Sequence, residues 1–150
     1  MICKLKFEEK DIFLELARSF YSSEAVLHSI PVQYHENTFN ELMRSDQYIE
    51  CFIFRSHEGE VAGYGLISKT FSQESGGMVI WVEELFVLPR YRCCGFGSEF
   101  FAYLEKEIPA SRYRLEIEPD NDRAVNLYKR RGYQALPYLQ MVKEAAPVLN

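Results

Sequence analysis

The sequence predicts an α/β (α+β) fold, with a mixed central sheet and helices on both faces. Three observations predict it. Residues 48–87 contain three runs of strand-forming residues separated by turns, which is typical of an antiparallel meander. The strand that ends at Val87 leads through a glycine-containing turn into an amphipathic helix. Beyond it, strand and helix patterns alternate, and such crossover units add parallel strands to a sheet.

The N-terminal part of the chain predicts one strand and two helices. Apolar and lysine residues alternate over residues 2–7, which indicates a short first strand. Residues 8–20 begin with acidic residues, which suit a helix N-terminus, and continue with apolar residues at helical spacing. Residues 24–33 have no clear period, so we expect a loop or a short helical turn. A second helix is expected over residues 36–45.

Three strands are expected next. Residues 48–55 are rich in Ile, Phe and Tyr, and a hairpin turn at 57–60 separates them from a strand over 61–71. A polar, glycine-containing loop at 72–77 then leads into the strand 78–87.

The turn at residues 88–97 leads into a long helix that Pro109 ends. The apolar residues of this helix lie four apart, on one face: Phe96, Phe100, Leu104 and Ile108.

The C-terminal part of the chain predicts strand, helix and strand. Residues 113–118 alternate as a half-buried strand, and residues 119–122 have the composition of a helix start. Gly132 lies where a glycine cap would end that helix. We expect a last strand over 133–142 and a frayed tail over 145–150.

Length and composition predict one domain over residues 1–150, since the chain of 150 residues shows no internal repeat or linker. The 17 basic and 22 acidic side chains give a formal charge of −5, which argues against nucleic acid as the main partner but is compatible with a cationic acceptor. No stretch approaches the roughly 20 apolar residues of a membrane span, so we expect no membrane partner.

The cysteines and histidines do not have the spacing of a metal site, because no CxxC pair is present. We therefore expect no metal, reduced thiols and a cytoplasmic protein. The four cysteines are Cys3, Cys51, Cys93 and Cys94.

The turn before the long helix has the chemistry of a phosphate site. The first amides of a helix have no intrahelical partner and lie at the positive end of the helix dipole. Gly95 and Gly97 allow a ligand to approach the backbone closely. The sequence Arg92-Cys93-Cys94-Gly95-Phe96-Gly97 resembles the Arg/Gln-x-x-Gly-x-Gly/Ala signature of the GNAT N-acetyltransferases.

A second block supports this resemblance. Asn121-x-x-Ala124-x-x-Leu127-Tyr128-x-x-x-Gly132-Tyr133 is similar to the last strand–helix unit of the GNAT family. Two shorter runs, Glu83 to Val87 and Tyr128 to Gly132, resemble the spermidine/spermine acetyltransferase branch. The resemblance implies the GNAT fold, in which two parallel strands, here 79–87 and 112–118, splay apart to admit the pantetheine arm of coenzyme A.

The resemblance also implies the residues that bind acetyl-CoA. Backbone amides of the turn would hold the pyrophosphate, with added charge from Arg92. The backbone of Leu85 and Val87 would hold the acetyl carbonyl and the pantetheine, and Asn121 would cap its helix or bond the pantetheine amides. The residues expected to contact the cofactor are Leu85, Val87, Arg92, Cys93, Cys94, Gly95, Phe96, Gly97, Ser98 and Asn121.

Two residues are expected to move protons. Glu83 lies four residues before Val87, a position that polyamine acetyltransferases use, through water, to accept the proton of the amine. Glu84 is the alternative. Consecutive residues of a regular strand face opposite sides, so one carboxylate would face the cleft and the other would face away from it, and a bulge would exchange the two positions. Tyr128 would protonate the departing thiolate or stabilise it with a hydrogen bond.

The expected function is acetyl-CoA-dependent transfer of an acetyl group to a primary amine, by direct attack of the amine on the thioester. The acceptor would be a small-molecule amine or a peptide amine, and dimers are common in the family, which leaves a homodimer open. The alternative is a coenzyme A-binding sensor or partner-binding module without transfer activity.

Overall fold

The computed structural model describes residues 1–23, 25–26, 28–118 and 120–145. Its five strands form one sheet in the order β1-β2-β3-β4-β5. The neighbouring pairs β1–β2, β2–β3 and β3–β4 are antiparallel, and β4–β5 is parallel, as the predicted mixed sheet requires. The strands are β1 (Ile2–Lys4), β2 (Ile49–Arg55), β3 (Val61–Ser72), β4 (Gly77–Val87) and β5 (Arg112–Leu115).

Helices cover both faces of this sheet, which confirms the predicted α/β architecture. One apolar core lies between the sheet and the first two helices, and a second lies on the opposite face against the last two helices. The helices are α1 (Lys10–Tyr21), α2 (Val32–Arg44), α3 (Phe96–Glu107) and α4 (Asp122–Arg130), with short 3₁₀ turns at Phe7–Glu9 and Pro89–Tyr91.

The apolar periodicity locates the helices well. On α1 the residues Phe13, Leu16 and Phe20 are buried, as their spacing predicts. The second helix begins at Val32, four residues earlier than expected, because Pro31 acts as its N-cap.

One close contact brings α3 onto the sheet. A Cβ atom added at Gly65 would lie 2.4 Å from the ring of Phe100, which is fully buried. The absence of a side chain at Gly65 therefore makes room for Phe100 of α3. This contact fixes the position of α3, whose N-terminus follows the turn at residues 88–97.

Three expectations about strands are wrong in extent or in kind. The first strand stops at Lys4, because Lys6 begins a helical turn in which its N–H donates to the Glu9 carboxylate at 2.9 Å. The strand expected over 113–118 stops at Leu115, where its pairing with β4 ends. Residues 133–142 form no strand: Pro137 has no N–H to donate, and most of the large apolar side chains there are exposed.

The tail expected over 145–150 lies almost wholly outside the described residues, since only Ala145 belongs to them. None of the helices in the described part of the chain is long and apolar enough to cross a membrane.

Candidate active site

The site lies where the two parallel strands separate. Residues Val79–Val82 of β4 pair with Arg112–Leu115 of β5, but β4 continues to Val87 without a described partner on the β5 side, while it stays paired with β3. A cleft of about 480 Å³ opens at this point. Its lining comes from the end of α1, the connection that follows it, β4, the chain after β5, and α4: Phe20, Tyr21, Ala25, Val26, His28, Ile30, Val82, Glu83, Leu85, Glu116, Ile117, Glu118, Asn121, Ala124 and Tyr128.

The turn before α3 presents free backbone donors. Gly95 is the N-cap, with a left-handed φ of 88°. The first bond of the helix runs from the Glu99 N–H to the Gly95 carbonyl oxygen at 2.9 Å. The amides of Phe96, Gly97 and Ser98 therefore have no intrahelical partner and lie at the positive end of the dipole. This arrangement can hold a phosphate group, as the sequence predicts.

Gly97 has a second use that the sequence does not reveal. A Cβ atom at this position would lie 3.0 Å from a methyl group of Leu127 on α4. The glycine thus lets α3 and α4 approach each other beside the cleft.

Arg92 and the two cysteines form the outer part of the turn. The Arg92 Nε–H donates to the Val87 carbonyl oxygen at 3.2 Å, so this side chain braces the turn against the end of β4. Cys93 has a positive φ of 64°, and its Sγ accepts from the Arg123 guanidinium of α4 at 3.7 Å. Cys93 and Cys94 are both exposed free thiols.

The two glutamates of β4 lie at a β-bulge. Leu66 pairs with Glu84 and Ile67 pairs with Val82, so Glu83 is the extra residue. The alternation expected of a regular strand does not hold at this bulge: Glu84 accepts a hydrogen bond from Tyr21 of α1, and Glu83 lines the same cleft that Tyr21 lines. Glu83 is exposed, lines the cleft and accepts a hydrogen bond from the Ser68 hydroxyl.

Glu84 lies buried beneath the cleft wall. The Tyr21 hydroxyl donates to its Oε1 at 2.9 Å, and the Tyr64 hydroxyl donates to its Oε2. Burial raises the pKa of the Glu84 carboxyl above its usual value, and the hydrogen bonds from Tyr64 and Tyr21 oppose part of that rise. Only Glu83 of the pair lines the cleft directly.

The raised pKa of Glu84 predicts a pH dependence of stability. Between the ordinary pKa of the unfolded chain, about 4.3, and the higher pKa of the folded protein, the folded state binds more protons. The free energy of unfolding should therefore fall as the pH rises through that window. In Glu84→Gln this contribution should vanish.

Urea unfolding at four values from pH 4.5 upward measures the effect, with Glu8→Gln as the matched exposed control. An unchanged pH slope in Glu84→Gln would show that this carboxyl does not titrate in the window.

Tyr128 lines the cleft from α4 and packs edge-on against Phe101, with ring centroids 5.6 Å apart. Burial raises the pKa of its hydroxyl to about 12. An ordinary thiol has a pKa near 8.5, so complete transfer of the proton to a thiolate would be uphill by about 5 kcal/mol. A phenol that keeps its proton can still donate a hydrogen bond, so the raised pKa favours stabilisation of the thiolate over proton transfer as the role expected for Tyr128.

The substitution Tyr128→Phe should lower kcat by roughly 10- to 100-fold, because one hydrogen bond to a charged atom contributes about 1.5–3 kcal/mol. The affinity for acetyl-CoA should change little, since the thiolate appears only as the reaction proceeds. Steady-state kinetics with calorimetry measure both. Tyr113→Phe, which removes a hydroxyl bonded to Ile108 outside the cleft, is the control. Full activity in Tyr128→Phe would exclude the role.

Asn121 caps its helix, as the sequence predicts, and it also lies at the cleft. Its Oδ1 accepts from the Ala124 N–H at 3.2 Å, which caps α4, and the residue also lines the cleft. Leu85 lines the cleft, whereas Val87 packs against the core on the α3 face.

The cleft residues that sequence reasoning missed include Tyr21, Glu116 and Glu118. Tyr21 is one of 10 tyrosines and is the last residue of α1, so nothing local marks it. The alternation over residues 113–118 indicated one strand and concealed that Glu116 and Glu118 leave the sheet at the cleft.

The structure is that of an α/β protein in which two parallel strands separate and in which the first amides of the helix after β4 can hold a phosphate group. The chain belongs to the acetyltransferase (GNAT) family, whose model matches residues 11–133. No group of three or more metal-ligating side chains occurs in the described part of the chain.

Curated relatives match part of this chain. It is 37% identical over 79 residues to the thialysine N-epsilon-acetyltransferase of Mus musculus, a match that covers 51% of this chain and 46% of that protein. The Bos taurus protein of the same name matches with the same identity and coverage. The chain thus spans about half the length of the curated relatives it matches.

Solved structures share the fold over nearly the whole chain. A possible acetyltransferase from Clostridium difficile 630 superposes with a TM-score of 0.81 at 14% identity, over 98% of both chains. The aminoglycoside N-acetyltransferase AAC(6')-Iy, bound to a bisubstrate analog, gives 0.78 at 15% identity and covers 97% of this chain and 98% of its own. A putative acetyl transferase from Pyrococcus furiosus gives 0.69 at 26% identity, over 97% and 99%.

Proposed function

We propose that the protein is an acetyl-CoA-dependent N-acetyltransferase that moves the acetyl group to a primary amine by direct attack on the thioester. One observation carries the proposal: the gap that opens after Val82 and the side chains of Glu83 and Tyr128 meet at one cleft. The turn that follows the same strand, β4, leads to the free amides at the start of α3. Membership of the GNAT family supports it.

In this proposal, acetyl-CoA lies between β4 and β5. Its pyrophosphate accepts hydrogen bonds from amides of the turn from Arg92 to Ser98, and Arg92 adds positive charge. The pantetheine arm runs past Leu85 and Val87 toward Asn121. Beyond Val82 no described strand pairs with β4 on the β5 side, so the backbone groups directed there are open to the thioester.

The acceptor must lose a proton before it can attack. A lysine-like amine has a pKa near 10.4, so a base in the cleft is needed at neutral pH. We assign that role to Glu83, which is the exposed carboxylate of the bulge, and the proton passes through water. The Tyr128 hydroxyl donates to the departing thiolate, and binding both reactants in one cleft supplies much of the remaining rate enhancement.

The charge of the cleft favours a cationic acceptor. Glu83, Glu116 and Glu118 line it, and its described lining contains no lysine or arginine. The names of the thialysine and aminoglycoside acetyltransferases support a small-molecule amine.

Thiol release from acetyl-CoA in the presence of a panel of primary amines tests the function. We expect release that depends on both the amine and the protein. Tight binding of coenzyme A by calorimetry with no release for any amine would contradict transfer and favour the coenzyme A-binding module.

We also propose that the chain forms one domain and acts in the cytoplasm, where the thiols of its four free cysteines would stay reduced. Sedimentation at several concentrations tests for the homodimer left open by the sequence.

A further inference from the structure

An aromatic–cation pair lies on the sheet beside the candidate site. The guanidinium carbon of Arg114, on β5, lies 4.2 Å from the centroid of the Trp81 ring, on β4. The two residues are direct neighbours in the parallel register, and both are half-buried. Trp81 is the one tryptophan of the sequence.

This pair shares a sheet face with the proposed base. Ser68 pairs with Trp81 across the antiparallel strands, so their side chains lie on the same face. The Ser68 hydroxyl also donates to the Glu83 carboxylate. Trp81 and Arg114 therefore continue the surface on which Glu83 lies. Two residues of a strand span roughly 7 Å, which is the separation expected between the Glu83 and Trp81 positions.

The guanidinium of Arg114 has hydrogen-bonding capacity to spare. Within the described residues it makes no ion pair, and no side-chain hydrogen bond from it is found. Its neighbour Arg112, two residues earlier on the same face, is already paired with Glu74 at 3.2 Å. A guanidinium that lies over an aromatic ring interacts through its flat face, so its N–H groups remain available in the plane.

We propose that Arg114, supported by Trp81, binds a carboxylate of the acceptor and so selects amino acids that carry their reacting amine at the end of an unbranched side chain. This inference rests on the proposed acetyl transfer. The planar N–H fork of arginine matches the two oxygens of a carboxylate, and the ring beneath it limits the orientations of the fork.

The charges of the cleft fit such an acceptor. A lysine-like amino acid carries two amines and one carboxylate. Glu83, Glu116 and Glu118 offer carboxylates for the amines at the cleft. Arg114 offers a cation for the carboxylate: it lies on β5 beside Trp81, whose position on β4 is about 7 Å from that of Glu83. A diamine without a carboxylate would leave Arg114 unsatisfied, and this difference creates selectivity.

The test compares lysine with lysinamide as acceptors in the thiol-release assay, because lysinamide keeps the chain and both amines but has no carboxylate. Wild-type protein should show a higher kcat/KM for lysine. In Arg114→Gln the ratio of the two values should fall by about 10-fold or more, since a charge-assisted pair contributes about 1.5–3 kcal/mol. In Arg112→Gln, whose guanidinium is already paired, the ratio should remain that of the wild type.

The change in this ratio separates recognition from stability, because a partly unfolded variant would lose activity toward both acceptors equally. An unchanged ratio in Arg114→Gln, with activity retained, would overturn the inference and leave the transfer function intact. Absence of thiol release with every amine would overturn the function itself. In that case calorimetry of lysine and lysinamide binding to the coenzyme A complex still decides the role of Arg114. If the wild type and Arg114→Gln bind lysine with equal affinity, the proposed role of Arg114 is overturned.

Discussion

The substitution Glu83→Gln is expected to lower kcat by about 10²–10⁴-fold, the usual range for the loss of a general base. Glutamine keeps the shape of the side chain and can still accept a hydrogen bond from Ser68, but it cannot take a proton at neutral pH. The affinity for acetyl-CoA should remain close to that of the wild type, because Glu83 acts on the acceptor. Thiol-release kinetics and calorimetry measure the two quantities separately.

The pH–rate profile adds an independent readout. If Glu83 accepts the proton, the acidic limb of the profile should shift or flatten in Glu83→Gln. Glu84→Gln is the comparison variant, because that carboxylate is buried and bonded by Tyr21 and Tyr64. Wild-type kcat and an unchanged profile in Glu83→Gln, together with a loss in Glu84→Gln, would assign the base to Glu84, acting from beneath the cleft wall.

The substitution Gly95→Asp should weaken acetyl-CoA binding by roughly 10²-fold. Nothing lies within 4 Å of a Cβ atom at Gly95, so the new side chain fits, but it places a negative charge at the amides of Phe96 to Ser98. Two unit charges 4 Å apart interact by about 4 kcal/mol near a protein surface, and salt screens part of that. Calorimetry of acetyl-CoA binding at low and high salt measures the loss and its screening.

Gly95→Asn is the matched control. Asparagine has nearly the same shape as aspartate, and both residues tolerate the left-handed conformation that Gly95 adopts, with its φ of 88°. The asparagine variant should therefore bind acetyl-CoA with nearly wild-type affinity. Equal losses in the two variants would point to backbone strain in place of charge, and no loss in either would move the pyrophosphate away from this turn.

Local sequence determined the parts of the molecule that depend on nearest neighbours. The four-residue spacing from Phe96 to Leu104 placed α3, and the glycines of the turn placed its N-terminus, because periodicity and backbone freedom are properties of a few consecutive residues. Asn121 was identified as a helix cap for the same reason, and its Oδ1 makes that hydrogen bond.

Sequence reasoning failed where pairing between strands decides the outcome. The last strand expected over 133–142 is absent. The strand expected over 113–118 ends at Leu115, because β4 and β5 separate there. A strand exists only where a partner accepts its hydrogen bonds, and the partner's position is not encoded in the segment itself.

The composition of the cleft was decided by tertiary structure. The sequence places Glu83 and Glu84 side by side, but the register of β3 against β4 makes Glu83 the bulged residue, so that one carboxylate reaches the cleft and the other is buried under two tyrosines. Tyr21 and Arg114 are far apart in the sequence. They come to one region of the molecule, Tyr21 at the cleft and Arg114 beside it, only because α1 packs on the sheet that contains β5. The sequence by itself thus determined the elements and the phosphate turn, which arise from local backbone preferences. Which side chains share a site depends on strand register and on contacts between distant segments, and only the folded chain sets these.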